Sequence, residues 1–332
     1  MSTNQEKDYI LEVKDLKKYY PIKGGFFSRV IGHVKAVDGI SFNIERGTTM
    51  GLVGESGCGK STTGRTLLRL EGEKTGGEVL FNGKEVYDFS NKAMNEKRTE
   101  MQIIFQDPFA SLQPRMPVGE IIGEAVREHK IVPSAEYDEY VEKIMDECGL
   151  QSFQKERYPH EFSGGQRQRI CIARAIALQP EFIVCDEPVS ALDVSIQAQI
   201  INLLEEIQAK LGVSYIFIAH DLAVVKHISD RVLVMYLGHI VEIADCDELY
   251  KNPLHPYTEA LLQAVPEADP DVEKTKPAVA LEGEVPSIIN RPAGCPFHDR
   301  CKHCMERCTK EVPKLTEFDS GHQVACFLFS KE

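Results

Sequence analysis

The amino-acid sequence predicts an α/β fold in which buried parallel strands lie between helices. Two segments, FIVCDEP (182–188) and SYIFIAHD (214–221), are apolar, rich in branched side chains, and end in acidic or polar residues. The segment that separates them, VSIQAQIINLLEEIQAKLG, has the length and pattern of a helix. A strand, a helix and a second strand, with both strands apolar throughout, are typical of a parallel sheet covered by helices.

The other elements follow from the same patterns. Residues 9–50 alternate apolar and polar positions, which predicts strands with one buried face and a loop over PIKGGFFSRVIGH (21–33). MGLVG (50–54) predicts a buried strand that ends in a tight turn, and residues 61–70 predict a helix. Helical patterns from about 115 to 160 predict a helical subdomain, and RVLVMYLGHIVEIA predicts a closing pair of strands. Frequent prolines beyond residue 250 predict a linker and a small module.

Charge and hydropathy exclude several classes of protein. The 332 residues carry a formal net charge of −13, which argues against nucleic-acid binding because phosphate recognition needs a positive field. The sequence contains no run of 18 apolar residues, so we expect no membrane-spanning helix. The start MSTNQEKDYILEV lacks the features of a secretory signal. We therefore expect a cytoplasmic protein that reaches a membrane only through a partner.

A phosphate-binding loop is predicted at GESGCGKS (54–61), which fits G-x-x-x-x-G-K-[ST] between a predicted strand and a predicted helix. The glycines let backbone N–H groups turn toward phosphates, and the helix start adds partial positive charge. Lys60 is expected to reach the β- and γ-phosphates, and the Ser61 hydroxyl to bind Mg²⁺. The alternative is a chance glycine turn. The candidate nucleotide-binding residues are Gly54, Glu55, Ser56, Gly57, Cys58, Gly59, Lys60, Ser61 and Thr62.

Two adjacent acids follow the predicted strand FIVCD. Asp186 is expected to hold Mg²⁺, and Glu187 to act as the general base that polarises the attacking water. An isolated pair of acids would be a solvated turn, but a phosphate-binding loop earlier in the same predicted sheet favours the catalytic interpretation.

The segment FSGGQRQR (162–169) resembles the signature [L/F]-S-G-G-Q of the ABC ATPase family. The family's other motifs are present and in order: a glutamine at Gln106 in IIFQDP, the segment SALD at residues 190–193, and a histidine at His220 in FIAHD. The resemblance covers roughly residues 9–265.

This resemblance implies a P-loop NTPase core of the ABC type: a mixed sheet with flanking helices, an antiparallel β subdomain and a helical subdomain. It implies two such domains arranged head to tail, with each ATP held between the P-loop of one and the signature of the other. The residues that would contact the partner's nucleotide are Ser163, Gly164, Gly165 and Gln166.

The family pattern also implies individual roles. His220 would contact the γ-phosphate and hold Glu187, although a lone histidine there would more often be an ordinary buried one. Gln106 would sense Mg²⁺ and water as a third metal contact beside Ser61 and Asp186. Tyr20 would stack on adenine, with adjacent Tyr19 as a competitor for that role.

Two further segments resemble one branch of the family. PLHPYTEALL (253–262) and a tail containing GCPFHDRC (294–301) and HQVAC (322–326) are similar to those of peptide and nickel importers. The loop GGFFSRVIGHVKAVDGISF, together with FSGGQRQR, resembles the second (F-type) ATPase of the pair that such importers use.

Five of the ten cysteines lie in the last forty residues, which in a reducing compartment favours metal binding over disulfides. Four of them, spaced C-x₅-C-x₆-C-x₁₇-C, lack the tight pairs of structural zinc ribbons, and four thiolates suit a [4Fe–4S] cluster, whereas the fifth, Cys304, forms a C-x₂-C with Cys301. Cys304 departs from the family's four-cysteine pattern, and His298, His303 and His322 keep zinc open as the alternative, beside a tail without metal. The cluster ligands implied by the family are Cys295, Cys301, Cys308 and Cys326. Cys58 and Cys185, which stand alone, are expected to be small buried residues.

These observations predict an ATP-hydrolysing subunit of an importer for di- and oligopeptides, peripheral to the cytoplasmic face of a bacterial membrane. Its expected partners are a paralogous ABC ATPase subunit, two transmembrane permease subunits and an extracytoplasmic substrate-binding protein. Nickel or glutathione as cargo, or a soluble ABC ATPase of Fe–S assembly, are the alternatives. The expected domains are the ATPase (8–250, with a helical subdomain at about 107–175) and a C-terminal extension (251–332).

Overall fold

The computed structural model describes residues 8–24, 29–264, 286–289, 291–319 and 321–330. The strands are β1 (Tyr9–Gly24), β2 (Arg29–Glu45), β3 (Thr49–Val53), β4 (Gly76–Phe81), β5 (Lys84–Glu85), β6 (Met101–Ile104), β7 (Phe182–Asp186), β8 (Ser214–Ile218), β9 (Arg231–Tyr236), β10 (His239–Asp245), β11 (Thr316–Asp319) and β12 (His322–Val324). The helices are α1 (Lys60–Leu67), α2 (Asn91–Lys97), α3 (Val118–Glu128), α4 (Tyr137–Glu147), α5 (Gly164–Ile176), α6 (Val194–Leu211), α7 (Leu222–Ile228), α8 (Cys246–Lys251) and α9 (Pro256–Gln263).

The described residues form two compact units. The helical unit comprises those of Met1–Leu11, Ile44–Thr48 and Phe81–Ile218, and the P-loop unit comprises those of Glu12–Asn43, Thr49–Leu80 and Ala219–Glu332. This division differs from the predicted domains, whose boundaries remain a prediction.

The helical unit contains three parallel strands in the order β6-β7-β8, and every residue of β7 and β8 is buried. Its helices α3, α4 and α5 pack against one another. The buried residues of α3 recur at helical spacing, as in Val118, Ile122 and Val126, because one face of an amphipathic helix covers the core. The predicted helical patterns in this region are therefore confirmed.

The helix between β7 and β8 begins and ends at residues suited to those positions. Asp193 caps α6 by accepting a hydrogen bond from the Ile196 N–H at 3.0 Å, and Gly212 ends it at a φ of 68°. Strand, helix and strand are thus observed where FIVCDEP and SYIFIAHD predicted them.

The P-loop unit contains a mixed arrangement of strands. β3 pairs in parallel with β9, and β9, β10, β12 and β11 continue as antiparallel neighbours in that order. The pair β9 and β10 confirms the predicted closing strands. β12 comes from the cysteine-rich tail, so the tail extends the sheet through the pairing of Val324 with Glu242.

The predicted loop at residues 21–33 is wrong over most of its length. β1 continues to Gly24 and β2 begins at Arg29, and residues 25–28 lie outside the described residues. Branched side chains at Ile22, Val30 and Ile31 favour extended backbone, and they outweigh the glycines that suggested a loop. The predicted linker lies mainly on residues 265–285, which are also outside the described residues.

Candidate active site

The loop between β3 and α1 has the backbone that its glycines predict. Gly54, Gly57 and Gly59 have φ angles of 152°, 79° and 109°. A Cβ at Gly54 would lie 2.2 Å from the Met235 carbonyl oxygen, and one at Gly59 would lie 2.3 Å from that of Ala36. These two positions therefore require glycine for close packing as well as for conformation. The side of the loop at Gly57 is open and exposed.

The lysine of this loop is held by the loop itself. Lys60 is 5% exposed, and its Nζ donates hydrogen bonds to the carbonyl oxygens of Gly54 at 2.7 Å and Glu55 at 3.2 Å. Ser61 and Thr62 are half-buried in the first turn of α1. A cationic side chain across a glycine loop at a helix start is the arrangement that binds phosphates.

The two candidate adenine-stacking tyrosines have different surroundings. The Tyr19 hydroxyl donates to Asp38, and Lys35 Nζ lies 5.3 Å from the centre of its ring. The Tyr20 hydroxyl donates to Glu71 at 3.0 Å, and Thr62 of α1 also contacts it. Tyr20 is thus the one of the two that lies beside the P-loop helix.

The acidic pair lies in the helical unit. Asp186 is fully buried at the end of β7, and Glu187 follows it with a φ of 48°. A non-glycine residue in this conformation is sparsely populated and is concentrated at functional sites. The Glu187 N–H donates to the Ile218 carbonyl at 3.0 Å, which fixes the backbone there.

Gln106 contacts Glu187 directly, a contact that the sequence did not reveal. Its Nε2 donates to a Glu187 carboxylate oxygen at 2.7 Å across 81 positions of the chain. Gln106, which the family pattern assigns to water and metal sensing, and Glu187, the expected general base, therefore form one hydrogen-bonded pair.

The signature residues begin α5. Ser163 is the N-cap, with the Gln166 N–H donating to its hydroxyl at 3.4 Å and its own N–H donating to the Gln166 side chain at 3.0 Å. A Cβ at Gly165 would lie 2.5 Å from Ile196 of α6, so this glycine allows the helices to approach. Ser163 and Gly164 are exposed, which leaves the start of α5 open to a ligand.

His220 belongs to the P-loop unit and is exposed just before α7, whose N-cap is Asp221. It is therefore not an ordinary buried histidine.

The HPYT segment also contacts the P-loop. The Glu55 N–H donates to the Tyr257 hydroxyl at 2.8 Å. His255 caps α9 by accepting from the Tyr257 N–H at 3.0 Å, and the buried carboxylate of Glu242 accepts from the N–H groups of Leu254 and His255 at 2.7 and 2.9 Å. The sequence identifies this segment only as a motif of the family and gives no sign that it supports the P-loop.

The four cysteines implied by the family surround one cavity, together with His298 and His303. Cys304 is exposed and does not line it, and His322 instead donates to Glu242 at 2.8 Å. Burial raises the pKa of Cys295 to about 12 and that of Cys326 to about 11, so these thiols are protonated at neutral pH unless a metal ion binds them. No three histidine, cysteine or acidic side chains of the described residues are placed to hold a metal ion as they stand.

Five isolated cysteines, Cys58, Cys148, Cys171, Cys185 and Cys246, are all buried free thiols, which confirms the prediction made for Cys58 and Cys185. Among the residues that the structure describes, no helix combines the length and the apolar character that spanning a bilayer requires.

Comparison with known proteins agrees with this geometry. The family model described as ABC transporter matches residues 37–190, and the model described as oligopeptide/dipeptide transporter, C-terminal region, matches residues 241–308. The chain is 51% identical to the oligopeptide transport ATP-binding protein AppF of Bacillus subtilis over 99% of both chains. It is 52% identical to the oligopeptide transport ATP-binding protein OppF of Escherichia coli over 98% of both.

Solved structures show the same fold. The structure of cbiO1 from Clostridium perfringens, part of the ABC transporter complex cbiONQ, has a TM-score of 0.63 at 29% identity and covers 74% of this chain and 92% of that one. The ATP-binding cassette MJ0796 bound to ADP and phosphate has a TM-score of 0.63 at 24% identity, over 71% and 98% of the two chains. The predicted α/β fold is confirmed, and the chain belongs to the ABC transporter ATP-binding proteins, in the branch that carries the oligopeptide/dipeptide transporter C-terminal region.

Proposed function

We propose that this chain binds and hydrolyses ATP to power the import of di- and oligopeptides through a membrane transporter. The observation that carries the proposal is about 50% identity, over nearly the whole chain, to proteins named as oligopeptide transport ATP-binding proteins. The P-loop geometry supports it, because a buried lysine and three glycines with positive φ form a phosphate-binding loop. Peptides are favoured over nickel or glutathione as cargo, since both relatives are named for oligopeptides.

In this proposal the residues from Gly54 to Thr62 bind the phosphates of ATP, and Tyr20 stacks on the adenine. Ser61, Gln106 and Asp186 would hold Mg²⁺, which when bound would supply charge neutralisation for the transferred phosphoryl group. Oxygen donors at a helix start and at a strand end suit this ion, which prefers hydroxyl, carbonyl and carboxylate ligands.

Glu187 accepts a proton from the attacking water, and its hydrogen bond with Gln106 aims the carboxylate. Because a base must lie within hydrogen-bond reach of the water, a positioned carboxylate is worth more than a mobile one. His220 would contact the γ-phosphate, the role that the family pattern gives it. The exposed start of α5, with Ser163, Gly164, Gly165 and Gln166, binds the nucleotide held by a second ATPase subunit.

The proposed assembly contains a paralogous ATPase, two permease subunits and a substrate-binding protein, with this chain at the cytoplasmic face of the membrane. The ATPase core at 8–250 and the extension at 251–332 remain the proposed domains.

The test of base catalysis is Glu187→Gln. The variant is expected to bind MgATP like wild type and to hydrolyse it about 10²- to 10⁴-fold more slowly, because the amide cannot accept the proton. Glu206→Gln, an exposed change on α6 in the same unit, is the matched control and keeps wild-type turnover. Turnover of Glu187→Gln within threefold of wild type would remove Glu187 from this role. Loss of labelled tripeptide uptake in cells that carry the slow variant would link hydrolysis to transport.

We also propose that the tail holds a [4Fe–4S] cluster on Cys295, Cys301, Cys308 and Cys326. The four thiols match the cluster in number and kind, and they surround one cavity. That cavity measures only about 10 Å³, so the side chains must spread to admit four irons. A single zinc ion needs less movement and is the alternative.

Anaerobic purification with iron, sulfide and zinc analysis separates these outcomes. Four irons and four sulfides per chain would support the cluster. One zinc ion per chain and no iron would show that the site binds zinc instead. Cys308→Ser, which changes a buried cavity thiol, is expected to lose the metal, whereas Cys304→Ser, which changes the exposed thiol, is expected to keep it.

A further inference from the structure

An arginine of the cysteine-rich tail holds the second residue of the P-loop. Both terminal nitrogens of Arg300 donate to the Glu55 carboxylate, Nη1 at 2.7 Å and Nη2 at 3.1 Å, and Nη1 also reaches the Tyr236 hydroxyl at 3.3 Å. The Arg300 side chain is 5% exposed and that of Glu55 is 24% exposed. A two-bonded guanidinium–carboxylate pair that is mostly shielded from water is strong and directional.

Glu55 is therefore held from two directions by residues that lie beyond the ATPase motifs. Its side chain is bound by Arg300, and its backbone N–H by the Tyr257 hydroxyl at 2.8 Å. Its carbonyl oxygen accepts from Lys60 at 3.2 Å. A shift of Glu55 would consequently change the position of the lysine that is expected to meet the phosphates.

The tail side of this contact is anchored in a buried aromatic cluster. The Phe297 ring packs on Tyr236, Tyr257 and His255, with centroid distances of 5.3, 5.4 and 5.7 Å. Phe297 is 2% exposed. Because side chains packed in this way allow little movement, the position of Arg300 depends on the tail being folded.

The cysteine cavity is lined by a residue that is next to Arg300 in the chain. Cys301 directly follows Arg300, and it lines the cavity with Cys295 and Phe297. The cysteine cavity, Arg300 and the P-loop are thus connected through consecutive contacts within one unit.

We propose that Arg300 is a positioning residue that keeps the P-loop in its phosphate-binding conformation, so that the folded tail sets the affinity of this chain for nucleotide. The proposal rests on the ATP-binding function proposed above. Because coupling between two sites is reciprocal, nucleotide at the P-loop must equally stabilise the tail.

The first test measures binding of Mg²⁺ with a non-hydrolysable ATP analogue to the full chain by calorimetry. Arg300→Gln is expected to raise the Kd about tenfold, within the range usual for coupled sites. Turnover at saturating ATP stays within about twofold of wild type, because Glu187 and Gln106 are unchanged. Arg300→Lys keeps the charge but loses the two-bonded geometry and is expected to be intermediate. Lys310→Gln, which breaks an exposed ion pair in the same tail, is the control and leaves the Kd unchanged.

A double variant separates positioning from a general structural effect. If Arg300 acts through Glu55, then Glu55→Gln combined with Arg300→Gln binds nucleotide no more weakly than either single variant. Additive losses would mean that Arg300 does not act through Glu55 and would overturn the proposal. Circular dichroism establishes that each variant is folded, and Glu55→Gln with Arg300→Lys supplies the same comparison if Arg300→Gln is not.

The reciprocal measurement follows deuterium labelling of the backbone amides of the tail, from residue 294 to residue 310, by mass spectrometry. The nucleotide analogue is expected to slow labelling about tenfold in wild type and to have no effect in Arg300→Gln. Labelling that is independent of nucleotide in wild type, or a wild-type Kd in folded Arg300→Gln, refutes the coupling. Failure of wild type to bind the analogue at all would instead refute the ATP-binding function.

Discussion

Glu242 joins β10 to the HPYT segment and to the cysteine-rich tail, and its substitution gives the sharpest test of how the C-terminal region is held. It lies on β10 and is fully buried. Its carboxylate accepts from the Leu254 N–H at 2.7 Å, from the His255 N–H at 2.9 Å and from His322 Nε2 at 2.8 Å. Since a carboxylate accepts, the His322 nitrogen that faces it must carry the proton.

The expected cost follows from the donors that lose their acceptor. Glu242→Ala leaves two backbone N–H groups and one imidazole N–H without it, and each unsatisfied buried donor costs about 1–3 kcal/mol. Entry of water or relaxation of the segment recovers part of this, so we expect a loss of about 3–5 kcal/mol in the free energy of opening the tail, the range found for broken buried networks. Glu242→Gln keeps one acceptor oxygen and is expected to lose about half as much.

The assay is the rate of limited proteolysis of the tail, with urea denaturation followed by circular dichroism as the global measure. Glu259→Gln makes the same chemical change as Glu242→Gln, but at an exposed position of α9, and it should alter the free energy of unfolding by no more than about 0.5 kcal/mol. If Glu242→Ala costs less than about 1 kcal/mol, the inference that this carboxylate joins the HPYT segment and the tail is wrong.

Three other predictions concern separate contacts. Gln106→Ala removes the hydrogen bond to the Glu187 carboxylate and one proposed Mg²⁺ contact, and it should lower kcat about 10- to 100-fold, as phosphate release at saturating MgATP would measure; an unchanged kcat would show that the hydrogen bond does not aim the base. Burial lowers the pKa of His255 to about 4, below its unfolded value of about 6.5. As the pH falls below 6.5, the unfolded chain therefore takes up this proton before the folded chain does, and the free energy of unfolding falls by up to about 3 kcal/mol toward pH 4. His255→Asn, which can still cap α9, should reduce this pH dependence in urea titrations. An unchanged pH dependence would exclude His255 as its source. Phe297→Ala should cost about 3–5 kcal/mol and speed tail proteolysis, whereas Phe297→Leu should cost less than about 1.5 kcal/mol, and equal rates for the two variants would contradict the packing argument.

Features that depend on neighbouring residues are the ones that a sequence can indicate. Gly54, Gly57 and Gly59 require positive φ within one turn of chain, and Ser163 and Gln166 cap one helix, so a few neighbouring letters carry the information. The strands on either side of α6 were predictable for the same reason.

Contacts between distant residues left no such signal. Arg300 and Glu55 are 245 positions apart, and nothing in either neighbourhood marks them as a pair. The spacing of the tail cysteines left Cys304 as a possible ligand, and only its exposure in the folded tail separates it from the four that face the cavity. The glycines at residues 21–33 suggest a loop, but the branched residues beside them favour extended backbone, and β1 and β2 are therefore longer than the glycines indicate.

The N-cap of α5 has a consequence for which amino acids its first position tolerates. The Ser163 hydroxyl accepts from the Gln166 N–H, and a hydroxyl that accepts still has its own proton to donate. Aspartate would cap the helix equally well, but its negative charge would repel an arriving phosphate and it has no proton to offer. Selection for helix stability alone would accept either residue. In the proposed assembly, where the start of α5 meets a nucleotide held by a second subunit, serine suits both the helix and the phosphate, whereas aspartate suits only the helix.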